Sequence, residues 1–303
     1  MDLLIKTIHP LESIFILPTS EYLNRFLLTN QKKLESRKIT FGLVNEDLYK
    51  NISDKYSFSL ICKEFKIQTP REFENKPNKY PFVIKPKYYI SSDNNIADKP
   101  AIIYSEKEYE KYMKGKTGKD YYFQEYVGGR SYYLLYYISK NKSYSVYSHE
   151  NLIQQAEGGS MILCKSSTIH QNKIANEFAQ LLIKIGFHGL IMIEVKNIKN
   201  RFIMIEANPR IWGPSQLILD SEMNLWDQFA LDNNLIENSP KRKYKSNIWY
   251  FWSAGFSNHK KNIVKYGISY NEFFNNYREI LKSEIYLRKD TLELYNIENE
   301  LLK

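Results

Sequence analysis

The most restrictive feature of this chain is a pair of apolar segments, LIMIEVK at 190–196 and RFIMIEANP at 201–209, joined by the polar turn NIKN. Two strand-like runs separated by four polar residues return antiparallel, so the pair reads as a hairpin. Each strand is apolar except for one carboxylate, Glu194 and Glu206. Side chains at i, i+2 and i+4 of a strand share a face, which aligns Glu206, Asn208 and Arg210 and lets Glu194 face them across the hairpin. Two carboxylates and an amide oxygen make the donor set that hard Mg²⁺ prefers, and Mg²⁺ with few protein ligands completes its shell with water and nucleotide phosphates. Arg210 would then neutralise charge on a transferring phosphoryl group. The competing reading is a hairpin edge on which Glu206 pairs with Arg210, and spacing alone leaves the two readings level.

Composition narrows the class around this hairpin. With 303 residues, 43% hydrophobic and 25% charged, the chain is long enough for one large domain or two modest ones and too rich in apolar residues to be disordered. No apolar run approaches the length of a membrane span, and His9, Pro10 and Glu12 interrupt the N-terminal apolar stretch, so no signal peptide is read and a cytoplasmic protein is expected. The net charge of +9 favours phosphate-bearing ligands. A Lys-, Asn-, Ile- and Tyr-rich composition accounts for that surplus more simply than nucleic-acid binding does, so neither nucleic acid nor membrane is an expected partner. The basic run KRKYK at 241–245 reads as a solvated linker, and Cys62 and Cys164 have neither metal-ligand nor disulfide spacing.

Periodicity orders the remainder. A short buried strand is expected at 14–18, a helix at 20–35, a second helix at 54–65, and a proline-bounded strand, PFVIKP, at 81–86. A serine-capped helix follows at 105–115. From 121 the segments YYFQEYV, SYYLLYYIS and SYSVYSHE suggest an antiparallel meander. Residues 171–185 carry Ile174, Phe178, Leu181, Leu182 and Ile185 at helical spacing. Residues 215–232 read as helical, and no motif is assigned beyond Pro240.

Three further elements carry chemistry. Lys85 ends a buried strand and Lys55 starts a helix; each alone is an ordinary surface lysine, but two lysines with two acids suit a metal-bound polyphosphate. In FQEYVGGR at 123–130 an extended strand meets a Gly-Gly break, a hinge whose backbone N–H and C=O can read a base edge.

The order DK (54–55), FVIKP (82–86), QEYVGG (124–129), GFHGLIMIEV (186–195) and MIEANPRIWGPSQL (204–217) resembles the ATP-grasp superfamily. The likeness is to its carbamoyl-phosphate-synthase-like or carboxylate–amine-ligase-like branch, and it covers roughly residues 14–233. It implies an α+β fold in which two subdomains clasp ATP. The small subdomain is expected at about 71–125 and the large one at about 126–235, after a trimmed N-terminal Rossmann-like α/β piece at 1–70 and before a helical or irregular extension at 236–303.

The resemblance implies that Lys55 and Lys85 contact ATP phosphates, that Gln124, Glu125, Tyr126 and Val127 hold the adenine, and that Glu194, Glu206 and Asn208 ligate Mg²⁺ or Mn²⁺. Arg210, with Lys85, is the implied catalytic residue, stabilising an acyl phosphate or tetrahedral intermediate. Gly158, Gly159 and Ser160 resemble a substrate-side loop, where consecutive amides make an anion nest, and His149 beside it is a candidate substrate contact. His170 and His188 read as structural. The implied activity is ATP-dependent ligation of a small carboxylate to an amine, an amide-forming C–N ligase.

The sequence departs from the family in three ways. Only about fifty residues precede Asp54, which raises the alternative of a nucleotide-binding subunit without independent catalysis, its N-terminal region completed by a partner subunit or a homodimer. Arg130 and Ser131 stand where an acidic residue often follows the hinge glycines. The stretch KYYISSDNNIADK at 87–99 lacks the glycines of a phosphate-covering loop.

Overall fold

The structure, a computed structural model, describes residues 13–155, 160–257, 264–265, 267–288, 291–293 and 296. It begins with a strand–helix–strand unit: β1 (Ile14–Phe15), α1 (Glu21–Thr29), α2 (Gln31–Glu35) and β2 (Ile39–Thr40), the two short strands pairing in parallel. Ser20 caps α1 by accepting from Leu23 N at 3.2 Å, as a serine at this position does for an orphan amide of the first turn. Helices α3 (Glu46–Ser53) and α4 (Lys55–Glu64) follow head to tail. Asp54 at their junction takes an ion pair from Arg25 of α1 at 2.8 Å, which fixes where α4 and its first residue, Lys55, begin.

Two antiparallel sheets come next. The smaller contains β3 (Glu72–Phe73), β4 (Phe82–Pro86), β5 (Ala101–Ile103) and β6 (Tyr121–Glu125) in the order β3-β6-β4-β5. Helix α5 (Glu106–Met113) covers one face, with Tyr109, Tyr112 and Met113 on a core of Phe82, Ile84, Ile103 and Tyr121. The larger sheet contains β7 (Arg130–Ile138), β8 (Tyr144–Gln154), β9 (Met161–Ser166), β10 (Gly189–Ile198), β11 (Arg201–Asn208) and β12 (Trp249–Phe251), in the order β11-β10-β7-β8-β9-β12, with β13 (Val264–Lys265) beside β8. The expected meander therefore divides: β6 pairs with β4 rather than β7, and only β7, β8 and β9 run as a meander. The break falls at the Gly128–Gly129 step. Gly129 lies at φ +92°, and a Cβ there would sit 2.4 Å from the carbonyl oxygen of Asn197, so the chain passes from one sheet to the other through a contact only glycine allows.

The central strands are apolar on both faces because both are covered. On one side Leu134, Tyr136, Ile191 and Val195 pack on Tyr49 and Ile52 of α3, Phe58 and Cys62 of α4, and Phe178 and Leu182 of α6 (Lys173–Lys184), whose predicted apolar stripe faces this core. On the other, Leu135, Tyr137, Leu190 and Met192 meet Leu217 and Ile218 of α7 (Gln216–Asp220) and Leu225 and Phe229 of α8 (Leu225–Asp232). The rest of that second face is left to a cleft. Cys62 and Cys164 are buried free thiols. The basic run at 241–245 is irregular and mostly exposed, as expected of a solvated linker, and it is tied to the body of the protein: Arg242 forms a two-pronged ion pair with Asp227, one prong at 2.7 Å, Lys245 pairs with Glu222, and Tyr244 packs edge-on against Tyr147. Among the described residues, no helix is long and apolar enough to cross a membrane.

Candidate active site

A cleft of about 1020 Å³ lies between the two sheets, with Val83, Lys85, Ile102 and Gln124 on the small-sheet side and Tyr133, Met192, Glu194 and Glu206 on the large. That volume is at the upper end for a small-molecule site and suits a nucleotide with a second substrate.

The hairpin supplies the centre of the cleft. Glu194 of β10 and Glu206 of β11 stand directly opposite each other in the register, with a bulge immediately after Glu194. Residues directly opposite in such a register have Cβ atoms about 5 Å apart, and two full charges at that spacing would repel by roughly 3 kcal/mol at an effective dielectric near 20, so the pair does not stay doubly ionised unaided. The two solve this differently. Lys55 at the start of α4 pairs with Glu206, and Asn208 Nδ2 donates to its other oxygen at 2.9 Å. Burial opposes ionisation of Glu206, but Lys55 and these hydrogen bonds overcome it and hold the carboxyl well below its usual range, at about 2. Glu194 is 5% exposed and accepts from the hydroxyl of Ser131 at 2.7 Å; burial first, and then the charge of Glu206, push it up to about 7. Glu206 pairs with Lys55 and not with Arg210, so the hairpin-edge reading does not describe this structure.

Lys85 crosses from the small sheet and donates to the carbonyl of Ile205 at 2.9 Å. Burial, reinforced by the nearby charge of Lys55, lowers it to about 8. Two cations, one of them buried with a carbonyl as its acceptor, line the cleft beside two carboxylates, an arrangement matched to an anionic ligand carrying its own divalent counter-ion. Among the described residues no cluster of three His, Cys, Asp or Glu side chains forms. The donors on hand, Glu194, Glu206 and the Asn208 amide, fit a hard cation that draws its other ligands from water and phosphate. A cation between the carboxylates also removes the repulsion that pushes a proton onto Glu194.

At the hinge, Gln124 is 2% exposed and its Oε1 has no hydrogen-bond partner among the described residues. Glu125 is tied to Arg71, whose backbone N–H donates to Oε1 at 3.0 Å. Tyr126 and Val127 line the cleft, and the Tyr126 ring lies 5.8 Å from Lys196 Nζ. At the far end Arg210 donates to the Ile211 carbonyl at 3.1 Å and reaches Asn208 Oδ1 at 3.5 Å, while its buried Nε–H has no acceptor among the described residues. Ser160 lines the cleft; Gly158 and Gly159 lie outside the described residues. His149 is wholly buried on β8 behind Tyr133, ring centroids 5.0 Å apart, and Tyr133 rather than His149 lines the cleft. Burial pushes its imidazole down to about 3, so it is neutral. Arg130 is clamped by Glu150, and neither residue lines the cleft. Within 87–99, Ser91, Asp93 and Asn95 hydrogen-bond one another, and only Lys99 of that stretch lines the cleft.

Sequence reasoning missed several residues that line or support the cleft. Lys196, 8% exposed, lies two positions after Glu194 and so shares its face, a signal present in the strand period. Asn151 donates to Ser131 Oγ at 2.9 Å and so orients the hydroxyl that holds Glu194, a link across three strands with no local signature. Trp212, Tyr250, Trp252 and Ile285 line the end beyond Arg210.

Two sheet-based lobes clasping a cleft lined with paired carboxylates and lysines define an α+β grasp architecture. A sequence profile of the ATP-grasp domain matches residues 52–214, and the chain belongs to the ATP-grasp family. Among solved structures it is similar to biotin carboxylase from Campylobacter jejuni, in complex with a β,γ-ATP species, with TM-score 0.57 and 14% identity over 78% of this chain and 57% of that one. It is similar to the biotin carboxylase domain of Hydrogenobacter thermophilus 2-oxoglutarate carboxylase, bound to MgADP, ADP and bicarbonate, with TM-score 0.60 and 13% identity over 82% and 60%. It is also similar to N5-carboxyaminoimidazole ribonucleotide synthetase from Thermus thermophilus, with TM-score 0.53 and 14% identity over 72% and 60%. At these identities the likeness establishes the fold, and the chain spans about three-fifths of the length of these structures. No curated protein matches the chain.

Proposed function

We propose that the chain is an ATP- and Mg²⁺-dependent ligase that activates a carboxylate as an acyl phosphate and joins it to an amine. The observation that carries this reading is the directly opposed Glu194–Glu206 pair with Lys55 and Lys85 in one cleft, in a chain of the ATP-grasp family. A carboxylate oxygen attacks the γ-phosphorus of ATP and the bond to the ADP oxygen breaks; an amine nitrogen then attacks the acyl carbon, phosphate leaves, and the amine proton is released. Phosphoryl transfer asks for positioning and charge neutralisation rather than a protein nucleophile.

Gln124 to Val127 hold the base, with the buried Oε1 of Gln124 as an available acceptor. Lys55 and Lys85 take the phosphates: Lys55 exchanges part of its pairing with Glu206 for phosphate oxygens, and Lys85, charged at neutral pH despite burial, swings only from the Ile205 carbonyl. Glu194, Glu206 and Asn208 would hold the metal, which when bound would supply charge neutralisation to the phosphates. Arg210 offers its unpartnered Nε–H to the negative charge on the carboxyl group as it is phosphorylated. The test is ATP-dependent hydroxamate formation with hydroxylamine as the amine and a panel of carboxylic acids. An ADP yield matched by hydroxamate supports the reading; carboxylate-stimulated ADP release with no hydroxamate and no other amide counts against it.

A further inference from the structure

The end of the cleft beyond Arg210 is built by a part of the chain outside the segment that defines the family. Tyr250 and Trp252 come from β12 and the residue after it, at the opposite edge of the large sheet from β11. Tyr250 nevertheless reaches across that face, its hydroxyl 3.5 Å from the carbonyl of Gly213 in the loop that follows β11. Trp252 is fixed by its backbone N–H to Ile162 O at 2.8 Å, and a Cβ on Gly255 would come within 2.9 Å of its ring. Ile285 is brought alongside by Glu284, a buried carboxylate that accepts from Ser253 N at 2.9 Å and Ser253 Oγ at 2.8 Å. With Trp212 and Met161, these side chains make an apolar, largely aromatic wall. The polar groups of Arg210 and Trp212 here are donors: Arg210 Nε–H and Trp212 Nε1–H are both buried without an acceptor among the described residues. Buried donors without acceptors are costly, and two of them two residues apart beside an apolar wall describe a place for an acceptor-bearing group attached to an apolar body.

We propose that this end of the cleft selects an aromatic carboxylic acid as the acid substrate, its carboxylate against Arg210 and Trp212 and its ring against Tyr250, Trp252 and Ile285. The proposal rests on the ligase reading above and narrows it. Bicarbonate and acetate have no body to fill such a wall, whereas an aromatic ring buries its face against it and gains offset or edge-on contacts.

The experiment has two readouts on the full chain. The first is the thermal shift with ATP and Mg²⁺ alone, which reports the nucleotide site. The second is ADP release, and quenching of tryptophan fluorescence, on titration with 3-phenylpropanoate, phenylacetate, acetate or bicarbonate in the presence of ATP and Mg²⁺. The expected result is half-saturation by an aromatic acid at a concentration at least about tenfold lower than for acetate or bicarbonate. Trp252→Ala, and independently Ile285→Ala, should erase that preference by about tenfold while the nucleotide shift persists, the size of effect expected when one contact of a hydrophobic pocket is removed. A nucleotide shift with acetate or bicarbonate preferred, or with both variants as selective as wild type, overturns the proposal and leaves the ligase reading standing. Loss of any nucleotide shift in the wild type overturns both.

Discussion

Glu194 and Glu206 face each other across a two-strand register, and they are held differently: Lys55 forms an ion pair with Glu206, while Glu194 accepts from the hydroxyl of Ser131. The asymmetry is set by where α4 begins, because Asp54 and Arg25 fix the helix start that delivers Lys55 to β11. One carboxylate is thus kept ionised and the other is poised to accept or lose a proton, a pairing suited to the divalent cation proposed above.

Ser131→Ala tests the support of Glu194. The change removes the hydrogen bond to Glu194 and leaves Asn151 Nδ2 buried without that acceptor, so unfolding free energy should fall by about 1–3 kcal/mol. Because Glu194 also loses its orientation, the Mg²⁺ concentration needed for nucleotide stabilisation should rise. Denaturant unfolding and a Mg²⁺ titration measure the two effects separately.

Lys85→Met should move stability and binding in opposite directions. The lysine is buried beside Lys55 and held below its ordinary range, so an apolar side chain of similar length leaves the ligand-free chain as stable or about 1 kcal/mol more so. Nucleotide affinity should drop tenfold or more. Equal losses of both would show that Lys85 is a structural residue.

Gly129→Ala should destabilise the hinge. At φ +92° a side chain is strained, and the added Cβ would meet Asn197 O at 2.4 Å, so a cost of about 2–4 kcal/mol is expected. Gly128→Ala, where a Cβ meets nothing within 4 Å, should cost far less; differential scanning calorimetry of the pair distinguishes them.

His149 gives the chain an acid limit. Its folded pKa of about 3 lies below the ordinary value of 6.5, so between these values the unfolded chain binds a proton that the folded one does not. Stability contributed by the neutral ring is intact above pH 6.5 and is lost as pH falls toward 3, at up to about 1.4 kcal/mol per pH unit. His149→Phe should flatten that slope. An unchanged slope in the variant would contradict the burial account.

How much of this was legible in the sequence follows from the range over which each constraint acts. Strand alternation and turn chemistry are local, so the hairpin, its two carboxylates and the apolar stripe of α6 could be read directly. The pairing of β6 was not, because YYFQEYV and SYYLLYYIS look alike as strands and only the Gly129 contact with Asn197 separates their sheets. Lys55 and Lys85 were legible as candidates through family resemblance, but their delivery to Glu206 and Ile205 depends on contacts 151 and 120 residues apart in sequence. Trp252 and Ile285 carried no motif at all, since apolar residues that line a cleft look like residues of a core.

The central claim is that Glu206 completes a metal–nucleotide site. Thermal unfolding of the wild type and Glu206→Ala should be followed across ATP concentrations with Mg²⁺ and with a chelator. A ligand at about 100 times its dissociation constant stabilises by roughly 2.7 kcal/mol, a shift of about 5 °C for a chain of this size. The account predicts such a shift in the wild type only when Mg²⁺ is present, and its loss in Glu206→Ala with the ligand-free melting transition still cooperative. A wild-type shift that persists in Glu206→Ala, or that does not depend on Mg²⁺, would contradict it.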